Sequence, residues 1–134
     1  MWEFLFSNQG RVPWLWMSME ALRGTSTSKG DVWSYGVVLW EIVTLGELPY
    51  KGVTGVVELH DLLQEGARLP KPPHCSDELY NVMLRCWQRS PDDRPSFEDL
   101  HAILNGILQE EERTYINVTF YEGQETKNYE ETKL

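Results

Sequence analysis

The stretch DVWSYGVVLWEIVTLG, residues 31–46, decides how the rest of the chain is read. Its apolar residues, from Val32 and Trp33 through Trp40 to Val43 and Leu45, go round nearly every face of a helical wheel. A helix that is apolar on all sides belongs in the middle of a core. The β-branched content would also suit a buried strand, but a run of about 14 residues favours a helix and is too short to cross a membrane. Asp31 is placed to cap its N-terminus and Gly46 to end it.

Upstream, GTSTSKGD (24–31) reads as a loop, marked by two glycines and four hydroxyl residues. Before it, RVPWLWMSMEAL (11–22) is aromatic-rich and interrupted by Pro13, which suggests a packed irregular segment closing in a short helical turn. Residues 1–9 show no period. Downstream of the central helix, ELPYKGVTG is a loop from which Thr54 can cap a helix VVELHDLLQ, with Val56, Leu59, Leu62 and Leu63 on one stripe. Ser76 opens a third helix with Leu79, Val82, Met83, Cys86 and Trp87 at i, i+3, i+4, i+7 and i+8. Ser96, with Asp99 three residues on, opens a fourth in a pattern like a capping box. Its stripe runs from Leu100 to Leu108. After Glu110 the periodicity fades into a polar tail. Four helices, no convincing hairpin and no internal repeat predict a mostly α domain.

Composition bounds the function. The 134 residues suit one domain, and 41% hydrophobic against 25% charged is an ordinary globular balance. A net charge of −9 argues against nucleic acid or anionic lipid as partner, since both need basic patches. The excess is concentrated: from Glu110 onward seven Glu face Arg113, Lys127 and Lys133, a net −4. Cys75 and Cys86 are too few for a disulfide framework and form no CxxC pair, which fits a reduced, intracellular setting. The start, MWEFLFSNQGRVPWLW, has no basic region or cleavage site and is not read as a signal peptide. No stretch has the ~18 apolar residues of a membrane span.

Three motifs occur in order with consistent spacing: WMSMEAL, then DVWSYGVVLWEIVTLGELPYKG, then CWQRSPDDRPSF. Together they resemble the large lobe of protein-tyrosine kinases, from the end of the activation segment to the final helix. The resemblance covers residues 10–109, with 1–9 as an unmatched leader and 110–134 as an acidic, Tyr-containing tail. It implies the C-terminal lobe portion of the protein kinase fold, with helices only and no N-terminal β lobe. GRVP with WM, SYGVVLWEIVTLG, and RTYINVTFYE after the last helix resemble the Tie (angiopoietin) receptors in particular.

The resemblance assigns roles residue by residue. Glu20 is similar to the Glu closing the activation segment, and Arg94 to the Arg before the last helix. In the family these form a buried ion pair, for which the planar, forked guanidinium is suited. Asp31 matches the family Asp at the start of the central helix, where it also hydrogen-bonds the catalytic loop. Pro13 matches the proline of the substrate loop, but Trp14 and Leu15 stand where the family carries a Val and a cation, which leaves peptide selection altered. Met19 replaces the usual Pro of the APE-type triplet. Trp87 and Pro95 match packing positions beside the ion pair. His60, His74 and His101 are isolated and read as solvated or capping.

The same resemblance shows what the sequence does not carry. Phosphoryl transfer uses a Gly-rich loop, a strand Lys, a catalytic Asp and Asn, and the DFG Asp for magnesium. None of GxGxxG, VAIK, HRD or DFG occurs here. The expectation is a chain with no catalytic residue and no cofactor of its own, ATP and Mg2+ belonging to a complete parent kinase. The abrupt start of the match near Gly10 points to truncation at an exon boundary more than to a purpose-built short product. Without the helices that precede the activation segment in the family, the central helix is expected to leave apolar surface wet and to seek a partner.

A second reading is a non-catalytic docking module. The tail carries Tyr115, Tyr121 and Tyr129. Tyr115-Ile116-Asn117 resembles the pTyr-x-Asn motif read by SH2-type adaptors, where an Arg binds phosphate and a second pocket bonds the Asn amide. Other kinase domains are further candidate partners. Asn117-Val118-Thr119 is also a glycosylation sequon, unused in a cytosolic tail. The resemblance implies a cytoplasmic location, on the cytoplasmic side of the plasma membrane for a complete receptor.

Overall fold

The computed structural model describes the backbone of residues 13–133 and the side chains of residues 13–119. Five α-helices follow one another: α1 Met19–Leu22, α2 Ser28–Val43, α3 Val56–Gln64, α4 Asp77–Cys86 and α5 Phe97–Lys133. Single 3-10 turns occupy Trp14–Trp16 and Pro91–Asp93, and there is no strand among the described residues. One compact unit ends at Leu100 and a second begins at His101.

In the first unit, α4 and both 3-10 turns pack on α2, whereas α3 packs on α1 and on the Trp14–Trp16 turn. The inner face of α2 carries Trp33 and Val37, both fully buried, and Trp40. Leu59 and Leu63 of α3 and Met83 and Cys86 of α4 complete the core with Trp87, each at most 1% exposed. Amphipathic stripes at i, i+3, i+4 and i+7 explain α3 and α4, since each can bury only one side. Side chains then tie down the connection between them. The Trp40 indole N–H donates to the Pro70 carbonyl at 2.8 Å, and the Tyr80 hydroxyl donates to the Leu69 carbonyl at 2.6 Å. Phe97, at the start of α5, meets Tyr35 of α2 edge to face with ring centres 6.0 Å apart.

Gly36 sets the separation of α2 and α4. A Cβ there would lie 2.7 Å from the Cys86 Cβ and 2.7 Å from the Trp87 Nε1. Both neighbours are rigid and buried, so only glycine allows this approach.

Three expectations are corrected. Asp31 does not cap α2. The helix begins three residues earlier at Ser28, and the Thr27 hydroxyl accepts from the Gly30 N–H at 3.1 Å, so Asp31 sits exposed in the first turn, where its charge still suits the positive end of the helix. The 24–31 loop is correspondingly shorter. Thr54 does not cap α3 either: Gly55 is the cap residue, and the Thr54 backbone N–H and hydroxyl donate to the Glu58 carboxylate, each at 3.1 Å. Burial of α2 is one-sided, with Val38 41% and Ile42 64% exposed opposite Trp33, so the helix leaves apolar surface wet as expected. The fourth helix does not fade near Glu110 but continues to Lys133. Ser76 caps α4 through the Leu79 N–H, and Ser96 and Asp99 bond reciprocally at 3.0 and 3.1 Å.

Gly36→Ala is expected to destabilise the full chain by about 1–3 kcal/mol through overpacking. Urea unfolding checks this, and an unchanged midpoint would contradict the close approach of α2 and α4.

Candidate functional site

The segment leading to the ion pair is built onto α2. The Trp16 N–H donates to the Pro13 carbonyl at 3.1 Å, which closes the first 3-10 turn. The Trp16 indole N–H donates to the Glu41 carboxylate, and the Ser34 hydroxyl donates to the Trp16 carbonyl at 2.6 Å. Pro13 is exposed and Trp14 and Leu15 are half-buried on this anchored turn. Ser18 then caps α1 by accepting from the Ala21 N–H at 3.2 Å. The cap starts a helix whose second residue is Glu20, so the carboxylate points from a fixed position.

Arg94 arrives from the other side, after the Pro91–Asp93 turn. It is fully buried at the side chain, while Glu20 keeps 20% exposure. Two parallel bonds join them: Nη1 to Glu20 Oε2 at 2.7 Å and Nη2 to Glu20 Oε1 at 2.8 Å. The remaining donors go to carbonyls of Gln88 at 2.8 Å, Lys29 at 3.0 Å and Arg89 at 3.3 Å. An arginine has five N–H donors, and all five are used. The Lys29 ammonium donates in return to the Arg94 carbonyl at 2.5 Å. Three stretches of chain, around residues 20, 29 and 88–94, therefore converge on one side chain.

Burial works against the charge on Glu20, but its hydrogen bonds to Arg94, its local backbone bond and the Arg94 charge outweigh that, and hold its carboxyl below the ordinary value of 4.5. The Trp33 ring lies beneath the pair. The guanidinium carbons of Arg94 and Arg68 stand 5.1 and 5.0 Å from its centre, within cation–π range. Arg68 itself donates to the carbonyls of Trp87 at 2.8 Å, Leu63 at 3.0 Å and Ala67 at 2.7 Å.

Arg68, Lys29 and Trp16 have no counterpart in the sequence reading. Nothing in a lone Arg after Gly66-Ala67 signals that it will fold back over a tryptophan. Met19 is buried, as are Trp87 and Pro95 beside the pair. His60 corrects the expectation of solvated histidines: it shares the inner stripe of α3 with Val56, Leu59 and Leu63 and is 4% exposed. Burial, with Arg23 nearby, pushes its pKa down. Both cysteines are free and buried, and burial pushes the Cys86 thiol up to about 11, which keeps it protonated and unreactive near neutrality.

In the second unit, Tyr115 lies on α5 and is 74% exposed. It lines a shallow groove with Leu108, Glu111, Glu112 and Ile116. The side chains of Tyr121 and Tyr129 lie outside the described residues, as does the whole 1–9 stretch. No helix among the described residues is long and apolar enough to cross a membrane.

The converging segments, the buried Arg–Glu pair and the one-sided central helix belong together in sequence comparison as well. The profile of the protein tyrosine and serine/threonine kinase family matches residues 4–104. The chain belongs to this family. The matched part of the kinase lobe begins inside the 1–9 stretch and takes in both partners of the ion pair. Among relatives, the angiopoietin-1 receptor of Danio rerio is 46% identical over 120 residues, covering 89% of this chain and 11% of the receptor. The tyrosine-protein kinase receptor Tie-1 of the same organism is 42% identical over 121 residues, covering 90% of this chain and 65% of the relative. Receptor tyrosine kinases of the Tie type are thus what this kinase lobe is similar to over most of its length.

A double-mutant cycle tests the junction. Glu20→Ala and Arg94→Ala should each cost about 3–5 kcal/mol, because each leaves the other charge stranded, and the pair should lose less than the sum. Because the folded carboxyl is held low, the stability it supplies is complete above about pH 4.5 and drains away as pH falls through the lowered value. Chemical denaturation between pH 6 and 2 should show that slope in the unmodified chain and a flatter one in Glu20→Gln.

Proposed function

We propose that this chain is a non-catalytic lobe of a Tie-type receptor tyrosine kinase, built to hold the substrate side of the fold and unable to transfer phosphate alone. The observation that carries this reading is the five-donor Arg94 junction, which holds the Pro13–Glu20 segment against the rest of the lobe. In a complete kinase, ATP-dependent tyrosine phosphorylation would need groups this sequence does not contain. The residues present do not fit a nucleotide–magnesium complex. The phosphate-cradling and metal-holding motifs that the family uses are missing from the sequence. A cytoplasmic location, beneath the plasma membrane in a complete receptor, accompanies this reading.

A second reading is supported by the exposure of Tyr115 in an acidic stretch. Phosphorylated Tyr115, with Asn117 two residues on, would recruit an SH2-type adaptor.

Purified chain with ATP and Mg2+ is expected to transfer no phosphate to a poly-Glu/Tyr substrate. Turnover above buffer that a single substitution in this chain abolishes would overturn the first reading. For the second, the chain phosphorylated by a complete tyrosine kinase should bind an adaptor SH2 domain, and Tyr115→Phe and Asn117→Ala should each weaken binding at least tenfold, the scale of a lost charge-assisted contact. Unweakened binding by both variants would exclude Tyr115 as the docking site.

A further inference from the structure

Tyr115 is presented on a helix, and a helix cannot display the motif it belongs to. At 3.6 residues per turn, positions two apart point about 200° away from each other around the axis. Tyr115 and Asn117 therefore face opposite sides of α5. A protein that reads phosphate and amide from one surface needs both on one side, which requires the segment to leave the helix.

The helix is poorly suited to survive there. Thr114, Ile116, Val118 and Thr119 are β-branched and surround an Asn, all weak helix formers. The Thr114 hydroxyl donates to the Glu110 carbonyl and the Thr119 hydroxyl to the Tyr115 carbonyl, each at 2.9 Å, a back-bonding that weakens and bends helices. Ile116 is 64% and Val118 50% exposed, so packing supplies little to offset these preferences.

Charge completes the argument. Glu111 and Glu112 stand at i−4 and i−3 from Tyr115 and line the same groove as its ring. These are the positions that meet on a helix surface, and like charges there are destabilising. The nearest cation, Arg113, is two residues away, where it does not face Tyr115, and stands 3.6 Å from Glu110. A phosphate on Tyr115 adds a charge of about −1.5 to −2 directly opposite two carboxylates.

We propose that phosphorylation of Tyr115 melts α5 across residues 111–119, and that this melting, rather than exposure of the ring, is what makes the pTyr-x-Asn motif readable. The inference rests on the docking reading for its purpose but not for its mechanism. The Tyr115 phenolic oxygen bonds to the γ-phosphorus of a nucleoside triphosphate bound by a separate, complete tyrosine kinase. The bridging P–O bond breaks, the nucleoside diphosphate leaves, and the phenolic proton passes to that kinase's base. The added charge then shifts the segment from helix to coil. Binding is governed by the fraction of chains already unwound.

The test uses the full chain with phosphotyrosine genetically encoded at position 115, beside the unmodified chain and a helix-favouring variant, Thr114→Ala/Val118→Ala/Thr119→Ala, in both forms. Backbone chemical shifts report helicity from residue 108 to 119, and titration with an adaptor SH2 domain reports docking. Phosphorylation should abolish the helical shifts of residues 111–119 in the native sequence. In the alanine variant it should leave them largely helical and weaken adaptor binding roughly tenfold with the motif intact. Helical shifts that persist in a phosphorylated chain bound to adaptor would overturn the switch and leave docking standing. Melting without adaptor binding would support the switch and remove the docking reading.

Discussion

Arg94 carries a charge into a place where water does not reach, and the fold is arranged so that none of its five N–H groups goes without an acceptor. A buried cation with one unmet donor would cost more than most contacts in the lobe contribute. The geometry of the carbonyls at 29, 88 and 89 and of the Glu20 carboxylate is therefore set together. Trp33 beneath the guanidinium, the Ser18 cap at the start of the helix that carries Glu20, and the Lys29 bond to the Arg94 carbonyl surround the same junction. Lysine could not stand in for Arg94, because three donors radiating from one nitrogen cannot serve five acceptors laid out for a planar fork.

Much of this was legible in the sequence and some was not. The amphipathic stripes placed α3 and α4 with little error, because a helix with one apolar face has one way to bury it. Caps were less secure. Ser76 and Ser96 face unambiguous helix starts, whereas Thr27 and Asp31 are both good caps within one turn, and the contacts of Lys29 with Arg94 and of Gly30 with Ser18 and Glu20 favour the earlier start at Thr27. His60 was misread because a polar residue at an inner helical position looks like a surface residue until its neighbours are known. The extension of α5 past Glu110 was invisible to periodicity, since residues 111–119 are all exposed and form no buried stripe. The Glu20–Arg94 junction came from motif resemblance; spacing alone would not have joined two charges so far apart. Arg68 over Trp33 had no signal at all.

The first unit is a piece of a kinase lobe held by buried packing and by one buried ion pair. The acidic C-terminal stretch has the opposite character, with abundant charge and, over residues 110–119, exposed side chains.

Gly36 constrains more than its own position. Because the hydrogen on its Cα fills the place a methyl would need against Cys86 and Trp87, the sizes allowed at these sites are not independent. Across diverging relatives, a larger residue at 36 would need room at both 86 and 87, a smaller side chain in place of the indole and either glycine at 86 or a wider gap between the helices, and a lineage that kept the tryptophan would be confined to glycine. Positions in separate helices, distant along the chain, would thus drift as a unit, and their joint variation would record the spacing of α2 and α4.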